Sequence, residues 1–175
     1  AFRADGWRGE AGGIEAAKMH HNVVMTPGNP VYFDHYQGDP ASEPVAIGGF
    51  NTLKKVYHYE PIPKELTAEE SKYVLGAQAN LWTEQVYNMR HAEYMVWPRA
   101  LAIAESVWSP KEKKDKEHFF SKVENQFERF DQAEVKYATS MYEPVFSLSR
   151  NKQGQLLIAM KTEVDDVTIH YSFDN

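Results

Sequence analysis

The sequence predicts an α/β fold that ends in a small antiparallel β segment, and three stretches of the 175-residue chain predict it. Residues 74–81 form a short apolar run rich in small residues and bounded by charged sequence, which suits a buried strand better than a helix of that length. Beyond it, Tyr94, Trp97, Leu101, Ala104 and Trp108 recur at spacings of three and four, the stripe of a helix that covers the strand. After Tyr142 the pattern changes to short alternating runs over 145–149, 155–161 and 167–173, separated by Asn-Lys-Gln-Gly at 151–154 and by Asp165-Asp166.

Taken in order, residues 7–9 read as a strand tip, and Gly12-Gly13 as a loop leading into a short helix over 14–20 that Asn22 breaks. Residues 23–25 are a short strand. Pro27, Gly28 and Pro30 bend the chain before 31–34 re-enter extended geometry. Tyr32 and Asp34 are two positions apart, as are Trp82 and Glu84 at the end of the 74–81 run. Alternate side chains of an extended chain share a face, so each pair presents an aromatic ring and a carboxylate to whatever lies beyond the strand tip. Residues 37–66 are loop-rich, with a short helix over 51–56, and Thr67 followed by Glu69 and Glu70 opens a helical turn. Pro98 either kinks the following helix or begins a second helical piece, and Ser109-Pro110 ends it. Arg99 is expected to be structural, pairing with a helix acid such as Glu93 or Glu105. The clearest helix is 115–134, where Phe119, Val123, Phe127 and Phe130 form an apolar stripe with charged residues opposite. In the last run Ile169, Tyr171 and Phe173 alternate with Thr168, His170 and Ser172, giving one buried and one wet face.

The run LGAQANLWTE followed by EYMVWPRALAIAESVW closely resembles the last strand and helix of the catalytic barrel in glycoside hydrolase family 20, the β-N-acetylhexosaminidases. WRGEAGG at 7–13 and NVVMTPGNPVYFDHYQG at 22–38 resemble strands six and seven with the intervening helix, in the family's order. The resemblance implies the C-terminal portion, about strands six to eight, of a TIM (β/α)8 barrel over residues 1–138, followed at 139–175 by the start of a small β-sandwich-like domain. A complete barrel needs about 250 residues, more than this chain has.

Composition narrows the partners. A net charge of −6 argues against nucleic acid, whose phosphates call for a basic surface. No apolar run approaches the roughly 18 residues of a membrane span. There are no cysteines, and His20, His21, His35, His58 and His91 show neither a shared i, i+4 spacing nor an HExxH pattern, so no metal and no cofactor are expected. The aromatic content of 13% fits either a large core or a sugar-binding surface.

A sugar pocket takes flat rings against pyranose faces and carboxylates for hydroxyls. Trp7, Tyr32, Asp34, Trp82 and Glu84 supply that set from three strand tips, and barrel enzymes build their sites at the C-terminal strand ends. The competing reading makes the tryptophans core fillers and the acids loop caps. The resemblance then implies roles: the family uses substrate-assisted retaining hydrolysis, in which the substrate's acetamido oxygen attacks the anomeric carbon while an enzyme glutamic acid protonates the leaving oxygen. Tyr32 matches the tyrosine that holds the acetamido carbonyl, Trp7 and Trp82 the tryptophans that wall its pocket, and Asp34 and Glu84 the carboxylates that take the hydroxyls at C-4 and C-6. The family's Asp-Glu pair at strand four and its strand-one arginine have no counterpart here. Glu69-Glu70 and Asp165-Asp166 lie in a helix start and a turn, without the family's flanking residues.

The expected partners are therefore glycans carrying N-acetylhexosamine, with glucosamine or galactosamine preference and natural glycan left open. The chain alone is expected to be inactive, and to self-associate through barrel edges left unpaired. A non-catalytic glycan-binding module and a structural scaffold are the alternatives. Location is open in the sequence; family members are commonly secreted, periplasmic or lysosomal.

Overall fold

The computed structural model describes residues 9–165 and 167–172; Trp7 and Phe173 lie outside them. The chain opens with helix α1, Ala11–Lys18, so Gly12 and Gly13 sit inside the helix and not in a loop before it. Close packing is the reason. A Cβ on Gly13 would lie 2.5 Å from Met25 Sδ and 3.3 Å from Val23 Cγ1, so only glycine lets α1 approach the strand it covers, β1 at Val23–Met25.

β1 pairs in parallel with β4, Val74–Ala77, placing Val24 opposite Gly76 and Met25 opposite Ala77. The 74–81 strand is thus shorter as a ladder than its apolar run, because its partner leaves. Gln78 N donates to Met25 O (2.9 Å), after which the first chain detours through α2, Gly28–Val31, a turn of helix broken at Asn29. Pairing resumes beyond the detour, with Asn80 N donating to Val31 O (3.0 Å) and Phe33 N to Asn80 O (2.7 Å), and Tyr32 bridging Asn80. Extended geometry holds at Tyr32 alone; Phe33 and Asp34 turn instead of continuing the expected strand. The chain then forms β2, His35–Tyr36, paired in parallel with β3, Gly48–Phe50.

Helix α3, Leu53–Tyr57, is capped by Thr52, whose hydroxyl accepts from Lys55 N. Thr67 and Glu70 cap each other: Thr67 N donates to Glu70 Oε2 (2.7 Å) and Glu70 N to Thr67 Oγ1 (3.3 Å), which accounts for one of the two adjacent acid pairs. The region around Pro98 resolves into two helices, α4 at Met89–Val96 and α5 at Arg99–Trp108, so the proline begins the second, where its missing N–H is no loss.

Trp97 and Leu101 of the expected stripe pack against the core, but the rest of the buried face differs from it. Met95, Arg99, Ala102 and Ser106 are buried, whereas Ala104 is exposed and Trp108 is 87% exposed. α5 packs on α3, close enough for Ser106 Oγ to donate to the carbonyls of Val56 (3.2 Å) and Tyr57 (3.1 Å), and small residues permit that approach where the large aromatics would not.

Helix α6, Lys116–Gln132, is capped by Asp115, which accepts from His118 N (3.0 Å). It buries Phe119, Phe120, Val123, Phe127 and Phe130 against Leu53, Val56, Tyr57 and Ala102. Tyr57 stacks on Phe119 at 4.6 Å and Phe127 on Tyr137 at 4.3 Å. Burial of each ring contributes about 1.5–3 kcal/mol relative to exposure.

β5, Val145–Arg150, and β6, Leu156–Lys161, form an antiparallel hairpin turned at Gly154, whose φ of 80° suits glycine. The third alternating run does not join it. Residues 167–172 form no strand and Tyr171 is 67% exposed. The hairpin is solvent-exposed along nearly its whole length, so it presents no covered layer on which a third strand could bury its apolar face. It is nevertheless tied to the body: Glu163 Oε2 accepts from Lys54 N at the start of α3, Ser140 donates to Glu43, and Ser42 Oγ donates to Glu143 Oε2 (2.8 Å).

Candidate active site

The parallel pairing of β1 and β4 brings the tips of two chain segments side by side, and four expected site residues meet there. Tyr32 leaves its bridge to Asn80 with its ring half-buried; Trp82 follows two residues after Asn80, 51% exposed. Their ring centroids lie 6.1 Å apart with planes at 62°, an edge-to-face contact that sets two aromatic faces at an angle across one corner. Asp34 is only 6% exposed, and its Oδ1 has no hydrogen-bond partner among the described residues. Burial raises its pKa above the ordinary carboxylate range, and the charge of Glu84 adds to the rise; its own and Trp82's backbone amides, with His35, oppose it. Glu84 itself is exposed, close enough for its field to act on Asp34. Two rings in contact, a buried carboxyl and an exposed carboxylate whose field reaches it thus lie near these tips, flat faces and acceptors of the kind a polyhydroxylated ring takes.

Behind this rim stands a buried polar frame that the sequence did not disclose. Arg99 is fully buried and pairs with neither Glu93 nor Glu105, correcting the expectation; Glu93 takes Arg90 instead, at 3.7 Å. Its guanidinium donates to four carbonyls: Nη1 to His35 (2.9 Å) and Asn51 (3.0 Å), Nη2 to Phe33 (2.5 Å) and Met95 (2.6 Å). It also lies 4.8 Å over the Phe33 ring. The carbonyls of Phe33 and His35 flank Asp34, so one rigid fork fixes the backbone on both sides of that acid. Burial lowers the Arg99 pKa, while Glu43 and Asp34 work to hold the charge. The only sequence signal for it was its register with Met95, Ala102 and Ser106.

His35 is half-buried, its ring 5.9 Å from that of Tyr32, and burial lowers its pKa while Asp34 pulls the other way. Gly49, at a φ of 67°, packs so closely against it that a Cβ there would collide with the His35 ring. Among the described residues no group of three or more His, Cys, Asp or Glu could hold a metal ion, and no helix is long and apolar enough to cross a membrane.

The model of the glycosyl hydrolase family 20 catalytic domain matches residues 2–111. The chain belongs to that family. It is 53% identical over 132 residues to a β-hexosaminidase of Porphyromonas gingivalis, covering 75% of this chain and 17% of the relative. A β-hexosaminidase of Vibrio furnissii is 33% identical over 102 residues, 57% of this chain and 17% of the relative. Among solved structures, the family 20 β-N-acetylhexosaminidase of Streptomyces coelicolor A3(2) superposes with a TM-score of 0.66 at 22% identity, over 76% of this chain and 27% of that one, a likeness of fold. The family 20 exo-β-N-acetylglucosaminidase of Vibrio harveyi, in complex with N-acetylglucosamine, gives 0.63 at 28% identity, over 75% and 21%. This chain therefore carries part of a family 20 TIM-barrel catalytic domain, and it spans less than a third of each of these relatives.

Proposed function

We propose that this chain is the C-terminal part, about strands six to eight, of the catalytic barrel of a β-N-acetylhexosaminidase. The whole enzyme removes terminal non-reducing β-linked N-acetylglucosamine or N-acetylgalactosamine by substrate-assisted retaining hydrolysis. The observation that carries this reading is the meeting of Tyr32, Asp34, Trp82 and Glu84 on one rim, in a chain whose family is known.

In this mechanism the Tyr32 hydroxyl holds the substrate's acetamido carbonyl as that oxygen becomes the nucleophile, and steadies the developing oxazolinium. Trp82 walls the acetamido pocket, a role the resemblance gives to Trp7 as well. The Asp34 carboxyl and the open Glu84 carboxylate accept hydrogen bonds from the C-4 and C-6 hydroxyls. The general acid comes from another part of the barrel, so these residues bind and orient but do not protonate the leaving oxygen.

Tyr32→Phe in the full-length enzyme tests the assignment. Loss of an interaction that strengthens in the transition state falls mainly on kcat, by about 2–4 kcal/mol as for one preorganised oxyanion donor. A tyrosine that merely packs gives a lower Tm with near-normal kinetics, and an unchanged kcat removes Tyr32 from the mechanism.

A further inference from the structure

We propose that Asn51 is a positioning residue for Tyr32, clamping the backbone from which the tyrosine projects. The inference rests on the assignment of Tyr32 to the acetamido group. Asn51 is 0% exposed, and burying an amide is costly except where its polar atoms find partners, which here the nitrogen does. Its Nδ2 donates to Gly28 O (2.9 Å) and Tyr32 O (3.0 Å), the start and finish of the α2 detour that interrupts the parallel pairing. The same nitrogen lies 3.0 Å from His35 Nδ1, whose ring meets the ring of Tyr32. All of these contacts run through Nδ2, while Oδ1 has no partner among the described residues, so the side chain acts here as a donor.

The clamp is itself held. Asn51 N donates to Tyr36 O (2.8 Å), and its carbonyl accepts from Arg99, whose other bonds reach Phe33 and His35. Sequence distance makes the arrangement informative, because Asn51 comes from beyond β3 and closes a loop that β1 and β4 leave unpaired. Without it, Tyr32 keeps its bridge to Asn80 on one side and loses its anchor on the other. A misplacement of about 1 Å in a substrate-positioning group costs on the order of 10²-fold in rate.

A double-mutant cycle in the full-length enzyme separates positioning from bare stability, with kcat, KM and Tm measured for Tyr32→Phe, Asn51→Ala and the pair. Asn51→Ala is expected to lower kcat by about 10- to 100-fold and move KM by less than about 3-fold. In the Tyr32→Phe background the same change costs less than about 3-fold, because the hydroxyl it positions is gone. Asn51→Ser, which keeps one hydroxyl donor, recovers part of the loss. An Asn51→Ala effect of equal size with and without the Tyr32 hydroxyl overturns the proposal, as does a lowered Tm with near-normal kcat. Unchanged kcat in Tyr32→Phe overturns instead the assignment on which the inference rests. If Asn51→Ala does not fold, Asn51→Ser carries the same cycle, and failure of both to fold marks Asn51 as structural and overturns the proposal.

Discussion

If Asp34 takes a sugar hydroxyl as proposed, it sets recognition against stability. Burial holds its pKa above the ordinary carboxylate range, so the folded chain binds that proton more tightly than the unfolded chain does. The associated stability is fully present below the unfolded carboxylate pKa, about 4, and is lost as pH rises through the folded value. An amide in place of the carboxyl does not titrate. Asp34→Asn is therefore expected to melt above the wild-type chain at pH 7, with the gap closing as pH falls towards 4; a gap that does not vary with pH would mean that burial of the charge is not its source. In the full-length enzyme the same change is expected to raise KM, since an amide offers a sugar hydroxyl a weaker acceptor. The grouping of Asp34 with Tyr32, Trp82 and Glu84 was suggested by side-chain type; the spacing of two assumed an extended chain, whereas residues 33 and 34 turn away from the strand. Arg99 and Asn51 were not legible. Their partners are backbone carbonyls, which every residue possesses and which leave no mark in the sequence.

At the scale of elements, α6 is the case where pattern and structure agree, because its apolar residues form one stripe and no neighbouring backbone competes for that face. Its start depends on Asp115, and Asp115→Ala is expected to cost about 1 kcal/mol, read as a lower midpoint in chemical denaturation with an unchanged slope. α5 shows how such a pattern misleads. Leu101 packs on the core as its stripe predicts, but Ala104 and Trp108 of that stripe face solvent, and contact with α3 goes to Ala102 and Ser106, because interhelical distance rewards small side chains and hydropathy does not register distance. The described part of the last run, 167–172, fails for a different reason. Alternation describes what a strand would bury, but a strand also needs a covered sheet to join, and β5 and β6 remain open to solvent.

For the whole molecule, β1 and β4 are paired only with each other among the described residues, and Leu75, Trp108, Phe146 and Leu148 are all exposed. Open strand edges and exposed apolar side chains favour contact between copies, so the 175-residue chain is expected to scatter light as a species larger than a monomer and to bind a hydrophobic dye; a monodisperse monomer with no dye binding would refute this. The isolated chain is likewise expected to leave an aryl N-acetyl-β-glucosaminide intact. General acid–base catalysis contributes on the order of 10² to 10⁴ in rate, and no Asp is followed directly by Glu anywhere in the 175 residues; turnover that copurifies with the protein would contradict this. The bonds from the C-terminal segment to the body carry a consequence for inheritance. Glu163 and Ser140 lie outside the stretch that matches the family model, yet they hold Lys54 and Glu43 within it, and Lys54 follows Asn51 by three residues. A hairpin exchanged between relatives by recombination would bring a new acceptor, or none, to this helix start. The two stretches are thus expected to diverge as a pair, with changes at one compensated at the other, so a transplanted family-matching stretch is expected to fold best with the C-terminal segment it evolved beside.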